Sequence, residues 1–285
     1  MVKVGLVGAG PWAQFFTAGL ISEADDLDFA GVWARRPEAA ASVGQPTFAS
    51  FDALLDACDA VAFAVPPDVQ AVLAAQAARA GRHVLLDKPI ARDVAAAQAL
   101  ADAVAAAGVA SQVLLTNRYV ASTRTFLASL ADAEVVHVTC SFISNAVLDG
   151  SVFATPWRLA EPDALLDLGP HALDLVQTIG GPVADVTASV RHGVLCARLE
   201  HESGSVSDVT LSASTPGANG PLTCEVVTTD SRLVIPDRGL EAALAARRCA
   251  GDEFAAACRG ELVQPIDAEH GLRLQKLIEQ VRQAL

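Results

Sequence analysis

The first 115 residues alternate short apolar runs with longer runs of helical periodicity. The apolar runs have the length of buried strands, and the helical runs follow capping residues such as Ser50, Asp68 and Asp93. This alternation predicts an α/β fold with a doubly wound parallel sheet and right-handed crossovers. The predicted strands span Val2 to Val7, Leu27 to Trp33, Thr47 to Ala49, Ala60 to Val65, His83 to Asp87 and Ala110 to Leu115.

The second half of the chain changes to successive strands of alternating polarity, which predicts a meander with one face on helices. The other face carries apolar side chains as well as charge, so we expect it to pair with another subunit. A helix near Pro170 either begins at about Gly169 or begins earlier and kinks at the proline. We predict strands at Glu134 to Ser144, Asp185 to Arg191, Val194 to His201, Ser205 to Ala213, Leu222 to Thr228 and Leu233 to Ile235, and closing helices at Asp252 to Arg259 and Ala268 to Ala284. A boundary near Asn117 gives two domains, 1–117 and 118–285.

Composition narrows the classes of function. The chain has 285 residues and a net charge of −13, so nucleic acid and anionic membranes are not expected partners. It has no long uncharged apolar run, so no membrane span is predicted. The six cysteines are scattered without a C-x-x-C pair, which favours a reducing cytoplasm, and neither the cysteines nor the six histidines have metal-ligand spacing, so no metal is expected.

A glycine pattern joins the first predicted strand to the first helix. Gly8, Gly10 and Ala13 form G-x-G-x-x-A, in which the first glycine permits a tight turn and the second lets a pyrophosphate approach the backbone. Pro11 suits the first helical turn, and Trp12 follows it. Since ligands of such sheets bind at the carboxyl ends of the strands, Pro66 and Lys88 are predicted to lie at the same site.

The end of the second predicted strand bears on the choice of dinucleotide. An NAD-binding protein usually has Asp or Glu there, whereas this chain has Arg35 and Arg36. Guanidinium groups suit a 2′-phosphate, so NADP is predicted and NAD remains possible. The alternative is that both arginines are solvated loop residues.

A third pattern lies at Asp167, His171 and Asp174, spaced i, i+4 and i+7. On one helix this spacing places all three side chains on one face. Histidine titrates near neutral pH, so His171 is a candidate for proton transfer. The alternative is an ordinary solvated face or a hydrogen bond at a helix end.

Together these motifs resemble the glucose–fructose oxidoreductase, inositol dehydrogenase and rhizopine-catabolism family (Gfo/Idh/MocA). Asp87-Lys88-Pro89 is similar to its Glu-Lys-Pro, and Asp167 to Asp174 matches its Asp-x-Gly-x-His-x-x-Asp. Arg118-Tyr119 and Trp157-Arg158 are similar to two further family pairs. Gln70 departs from the family pattern, because it stands where a histidine is common.

The resemblance implies a Rossmann domain followed by an α/β domain with a large, mostly antiparallel sheet. It also implies that Lys88, Asp167 and His171 are catalytic, with Asp167 orienting the substrate or the imidazole. By the same resemblance, Arg118, Trp157 and Arg158 contact a small-molecule substrate. The implied assembly is a homodimer or homotetramer formed through the C-terminal sheet.

We therefore expect an NADP-dependent oxidoreductase that interconverts an alcohol and a carbonyl on a small polyol, sugar or related molecule. Two alternatives remain open at this point. One is a reductase of a C=N or C=C bond on the same scaffold, and the other is a regulator that senses the dinucleotide without turning it over.

Overall fold

A computed structural model describes residues 1–148, 150–159, 164–218, 220–236, 240–262 and 264–285 of the chain. The described residues divide into two compact units. The first unit consists of Met1–Tyr119 and Glu241–Gln275, and the second consists of Val120–Leu240 and Lys276–Leu285. The predicted boundary near Asn117 assigned all later residues to one domain, whereas residues 241–275 belong to the first unit.

The first unit is built on a parallel sheet of five strands, counted over the described residues, in the order β2-β1-β3-β4-β5. This confirms the predicted doubly wound parallel sheet. Its strands are β1 (Val2–Val7), β2 (Leu27–Trp33), β3 (Ala60–Phe63), β4 (His83–Leu86) and β5 (Ser111–Val113).

The strand predicted at Thr47 to Ala49 is wrong. Only one bridge forms there, between Val32 and Thr47. The Val32 N–H donates to the Pro46 carbonyl oxygen at 2.7 Å, and the Phe48 N–H donates to the Val32 carbonyl at 2.9 Å. The chain then turns directly into the helix that Ser50 caps, which leaves no length for a strand.

Local capping sets most helix starts in this unit. Ser50 Oγ accepts the Ala53 N–H at 3.1 Å, and Asp93 Oδ1 accepts the Ala96 N–H at 2.8 Å, as predicted. Asp68 instead lies in the first turn of its helix, which begins at Pro67. The helices are a π-helical turn (Ala13–Thr17) followed by α1 (Ala18–Glu23), then α2 (Pro37–Ala41), α3 (Phe51–Ala57), α4 (Pro67–Arg79) and α5 (Val94–Ala107).

The returning segment adds two helices, α9 (Leu240–Cys258) and α10 (Ala268–Gln283), the last of which ends in the second unit. Helix α9 begins well before the predicted Asp252. Its Arg247 donates to the Phe15 carbonyl oxygen at 3.1 Å and pairs with Glu23. These long-range contacts stabilise the part of α9 before Asp252, where the amphipathic pattern of the sequence is weak. Gly251 lies against α1, because a Cβ there would be 2.7 Å from the Ala24 Cβ.

The second unit contains a mixed sheet in the order β11-β10-β6-β9-β8-β7, with six strands among the described residues. The pairing of β6 with β9 is parallel and the other pairings are antiparallel, so the sheet is mostly antiparallel as expected. It is not the predicted simple meander, because β6 is inserted between β9 and β10. The strands are β6 (Val135–Ile143), β7 (Val183–Arg191), β8 (Val194–His201), β9 (Val206–Ser212), β10 (Thr223–Thr228) and β11 (Arg232–Val234).

Helix α8 (Gly169–Gly180) covers one face of this sheet. Its Leu173 and Val176 are at most 1% exposed, and Val138 and Leu211 of the sheet are fully buried. The helix ends against the sheet through His201, whose Nδ1 lies 2.8 Å from the Gly181 carbonyl oxygen and whose Nε2 lies 2.7 Å from Ser207 Oγ. A 3₁₀ turn (Thr116–Tyr119) ends the first segment of the first unit, and two further helices, α6 (Ala121–Ala128) and α7 (Pro156–Leu159), belong to the second.

Candidate functional site

The glycine-rich turn lies between β1 and the first helix of the first unit. Gly8 has φ +112°, and a Cβ there would overlap the carbonyl oxygen of Ala64, so only glycine fits this position. Around Gly10 the described residues leave open space, since an added Cβ meets no atom within 4 Å. The turn therefore has the close backbone and the clearance that a pyrophosphate requires.

A cavity of about 430 Å³ opens beside this turn at the carboxyl ends of β1, β2 and β3. It brings together five of the predicted cofactor residues, which are Gly8, Gly10, Arg35, Arg36 and Pro66. Sequence reasoning missed Val69 and Leu73, whose i, i+4 spacing on α4 places both along one wall.

The other predicted cofactor residues are placed differently. Pro11 is exposed, and Ala13 is fully buried beneath the helix. Trp12 stacks on Phe16 with ring centroids 4.8 Å apart and an interplanar angle of 3°. These three residues shape the helix start and are not part of the cavity wall, and Lys88 is not part of it either.

Charge at the end of β2 is positive. Arg35 and Arg36 are exposed, and within the described part of the chain neither forms an ion pair. None of the residues lining the cavity is Asp or Glu. The wall can therefore attract an anionic group and has no carboxylate for a ribose hydroxyl.

Lys88 follows β4 in the loop Asp87-Lys88-Pro89, and it is half-buried. The Lys88 N–H donates to Asp87 Oδ1 at 2.9 Å, and the Lys88–Pro89 peptide is cis. Arg118 lies in the 3₁₀ turn after β5. The neighbouring Tyr119 is buried and donates its hydroxyl to the Val113 carbonyl oxygen at 3.0 Å.

In the second unit, α8 begins at Gly169 with Pro170 in its first turn, which is the first of the two arrangements that the proline allowed. His171 therefore lies in the first turn and is 8% exposed. Its ring is 6.2 Å from that of Phe142 on β6, at an interplanar angle of 57°. Asp174 lies one turn further along, at 1% exposure.

Asp167 lies outside the helix, in the turn that precedes it, so the predicted shared helical face does not include it. Its carboxylate pairs with Arg158, with Nε and Oδ2 3.0 Å apart and both side chains largely buried. The Arg158 guanidinium carbon also lies 4.5 Å from the Trp157 ring centroid and 5.8 Å from that of Phe153. Trp157, Arg158 and Asp167 thus form one cluster, joined by an ion pair and cation–π contacts.

Two family models match this chain. Residues 2–115 match the model described as "Oxidoreductase family, NAD-binding Rossmann fold" of GFO_IDH_MocA, and residues 120–234 match the GFO/IDH/MocA C-terminal domain. The chain belongs to the GFO/IDH/MocA family. Every candidate residue except Arg118 lies inside a matched range, and α9 and α10 lie beyond both.

Two curated proteins are similar to parts of the chain. The UDP-N-acetylglucosamine 3-dehydrogenase of Acidithiobacillus ferrooxidans is 27% identical over 191 residues, which cover 63% of this chain and 55% of that protein. Dehydrogenase FPY6 of Fusarium mangiferae is 37% identical over 116 residues, covering 35% of this chain and 33% of that protein. The chain thus matches about half or less of the length of these curated relatives.

A solved structure extends the fold comparison to the whole chain. The WlbA dehydrogenase from Bordetella pertussis, in complex with NADH and UDP-GlcNAcA, superposes with a TM-score of 0.86. It is 21% identical, and the match covers 99% of this chain and 95% of that one. At this level of identity the likeness shows that both units of this GFO/IDH/MocA protein share the fold.

The described residues of this family member were also compared with the requirements of a metal site and of a membrane span. Among the described residues, no group of three or more His, Cys, Asp or Glu side chains is placed to hold a metal ion. No helix in the same residues is both long and apolar enough to cross a membrane.

A larger cavity, of about 610 Å³, lies at the amino ends of β4 and β5, away from the glycine-rich turn. Its polar groups are already engaged within the protein: His83 Nδ1 accepts the Ala110 N–H at 2.9 Å, and Ser111 Oγ accepts the Ala268 N–H at 3.0 Å. Burial raises the pKa of the Cys258 thiol to about 12, so this side chain is not a reactive nucleophile. The smaller cavity, beside the glycine-rich turn, is therefore the candidate nucleotide site.

Proposed function

We propose that this protein is an NADP-dependent oxidoreductase that interconverts an alcohol and a carbonyl on a small polyol, sugar or sugar derivative. The observation that carries the proposal is the cavity beside Gly8 and Gly10, which has two arginines and no carboxylate in its wall. Family membership supplies the oxidoreductase class.

The cavity supports NADP over NAD on electrostatic grounds. Arg35 and Arg36 follow β2, where the adenosine ribose binds in Rossmann domains. A guanidinium can bond a phosphate with two parallel hydrogen bonds, and it is more weakly hydrated than an ammonium group. The relative solved with NADH shows that the family fold also accommodates NAD, so the preference requires a direct test.

The test is a fluorescence titration of the pure protein with NADPH and with NADH in the same buffer. We expect NADPH to bind at least about tenfold more tightly, or about 1.4 kcal/mol. The double variant Arg35→Gln/Arg36→Gln should lose that margin while its affinity for NADH stays nearly unchanged. Equal or tighter binding of NADH by the wild type would refute the NADP assignment.

When bound, the nicotinamide supplies the hydride acceptor or donor. In the oxidation direction, His171 accepts the proton of the substrate hydroxyl. The Lys88 ammonium would stabilise the negative charge that develops on the substrate oxygen. In reduction His171 returns the proton. Asp167 and Arg158 would contact the substrate as an ion pair, with Trp157 packed against the guanidinium. Arg118 would be a further substrate contact.

A sugar or polyol is favoured because the curated relative from Acidithiobacillus is named as a dehydrogenase of a sugar nucleotide. A panel of polyols, sugars, sugar nucleotides, ketones and imines, run with the tighter-binding cofactor, tests this substrate class. Turnover restricted to imines or to C=C substrates would instead support the alternative reductase.

Lys88→Ala distinguishes an enzyme from a dinucleotide sensor. For an enzyme, we expect this variant to keep cofactor binding and to lose turnover. A wild type that binds NADPH but turns over no member of the panel would favour the sensor.

We also propose that the open face of the six-stranded sheet pairs with a second copy, giving a homodimer or homotetramer. This face carries both signs of charge in its central strands, with His137 Nε2 2.8 Å from Asp208 Oδ2 and Arg198 Nε 3.9 Å from Asp208 Oδ1. Mixed charge permits self-complementary pairing about a twofold axis. Sedimentation velocity of the wild type and of Asp208→Arg tests it, since a wild-type monomer would refute the pairing.

Location of the protein in a reducing cytoplasm stays a prediction from the cysteine pattern.

A further inference from the structure

A single buried side chain holds the loop that carries Lys88. Gln70, on α4, has no exposed surface. Its Oε1 accepts the Asp87 N–H at 2.8 Å, and its Nε2 donates to the Asp87 carbonyl oxygen at 2.7 Å. The carboxamide thus satisfies both backbone groups of Asp87, as a neighbouring strand would.

The same amide reaches beyond Lys88. Gln70 Nε2 lies 3.2 Å from the Pro89 carbonyl oxygen and 3.3 Å from that of Ile90. Bonds to residues on both sides of Lys88 fix the backbone at that residue. They are needed because β4 ends at Leu86, so the loop is beyond the sheet ladder, and buried backbone groups require partners.

Helix α10 also contacts the residues that follow Lys88. A Cβ on Gly271 would lie only 2.6 Å from Ile90 Cγ2, so α10 is in close contact with the loop. Gln275 Nε2 donates to the Arg92 carbonyl oxygen at 3.3 Å. Both α4 and α10 therefore contact this stretch of chain.

We propose that Gln70 is a positioning residue for Lys88, an inference that rests on the proposed role of Lys88. The backbone on either side of Lys88 determines where its ammonium group can reach. A displacement of about 1 Å at a reacting group can reduce the rate about 100-fold. The glutamine thus acts on turnover through Lys88, without touching substrate.

The test compares Gln70→Met with Gln112→Met. Methionine keeps the length of glutamine and removes its hydrogen bonds. Gln112, on β5, is a matched control because it is also fully buried, donates to the Ala250 carbonyl oxygen at 2.8 Å and accepts from Gln264 Nε2 at 2.8 Å, so it holds α9 and not the Lys88 loop. Should Gln70→Met fail to fold, Gln70→Glu keeps the acceptor toward the Asp87 N–H and replaces the amide donors.

The measurements are kcat with the best panel substrate, the Kd of NADPH, and amide hydrogen exchange at Asp87. For Gln70→Met we expect kcat to fall about tenfold or more, the Kd to stay within about threefold, and exchange at Asp87 to accelerate. For Gln112→Met we expect kcat within about twofold of the wild type, even if its Tm falls as much as that of Gln70→Met.

The inference is overturned if Asp87 exchanges no faster in Gln70→Met, or if Gln112→Met loses as much kcat. It is also overturned if Gln70→Met keeps the kcat of the wild type. A wild type without turnover on any panel substrate would refute the proposed function instead. The exchange rate at Asp87 would then still decide whether Gln70 holds the loop.

Discussion

The Arg158–Asp167 ion pair gives the sharpest prediction for the second unit. Its side chains are 12% and 9% exposed, so removing one partner leaves the other charge largely buried. Arg158→Met keeps the aliphatic packing against Trp157 and removes the guanidinium. Asp167→Leu removes the carboxylate at the start of α8. The double variant replaces the buried pair with apolar groups.

The magnitude follows from the geometry. At 3.0 Å and an effective dielectric constant of about 20, the attraction is about 5.5 kcal/mol before desolvation is subtracted. Breaking a buried pair by removing one partner costs about 3–5 kcal/mol, whereas replacing both partners is often close to neutral. We expect each single variant to lose about 3 kcal/mol of unfolding free energy, and the double variant to lose less than either.

Urea unfolding followed by circular dichroism and tryptophan fluorescence measures this. With an m-value of about 2 kcal/mol per molar, 3 kcal/mol lowers the urea midpoint by about 1.5 M. The exposed pair Arg232–Glu225, whose Nη2 and Oε2 are 2.6 Å apart, is the matched control in the same unit, and its coupling should be far smaller. Additive losses in the double variant would refute the coupling between Arg158 and Asp167.

Two further predictions concern packing and pH. Gly180→Ala should lower the Tm, because an added Cβ lies 2.7 Å from the His201 ring and would displace it from its two hydrogen bonds; an unchanged Tm would contradict this contact. Burial lowers the pKa of His83, so the unfolded chain binds the proton more readily and unfolding free energy should decrease as pH falls below about 6.5. His83→Gln should flatten that decrease, which urea unfolding at several pH values measures, whereas the same change at the exposed His192 should leave it unaltered.

Much of the first unit could be predicted because its elements obey local rules. Gly8 sits where a positive φ and a crowded backbone require glycine, and Ser50 and Asp93 accept the N–H groups that helix starts expose. Strand ends then determine which residues reach the cavity. The strand expected at Thr47 did not form, because a short run of strand-like residues does not reveal that only one bridge can form there.

The contacts that could not be predicted all join residues distant in sequence or in different elements. Nothing local marks Arg247 as the partner of Glu23, or places β6 between β9 and β10. The spacing of Asp167 and His171 predicted one helical face, but Pro170 starts the helix after Asp167 and leaves that carboxylate to Arg158.

The contacts of Gln70 could not be predicted from the sequence. Gln70 departs from the family pattern, and its contacts are with backbone atoms, which carry no residue identity that a pattern could match. A buried glutamine on a helix must nevertheless satisfy two donors and an acceptor. In this chain its partners are backbone groups of the loop that follows β4. A fully buried polar side chain beside a strand end can therefore hold the loop that follows the strand.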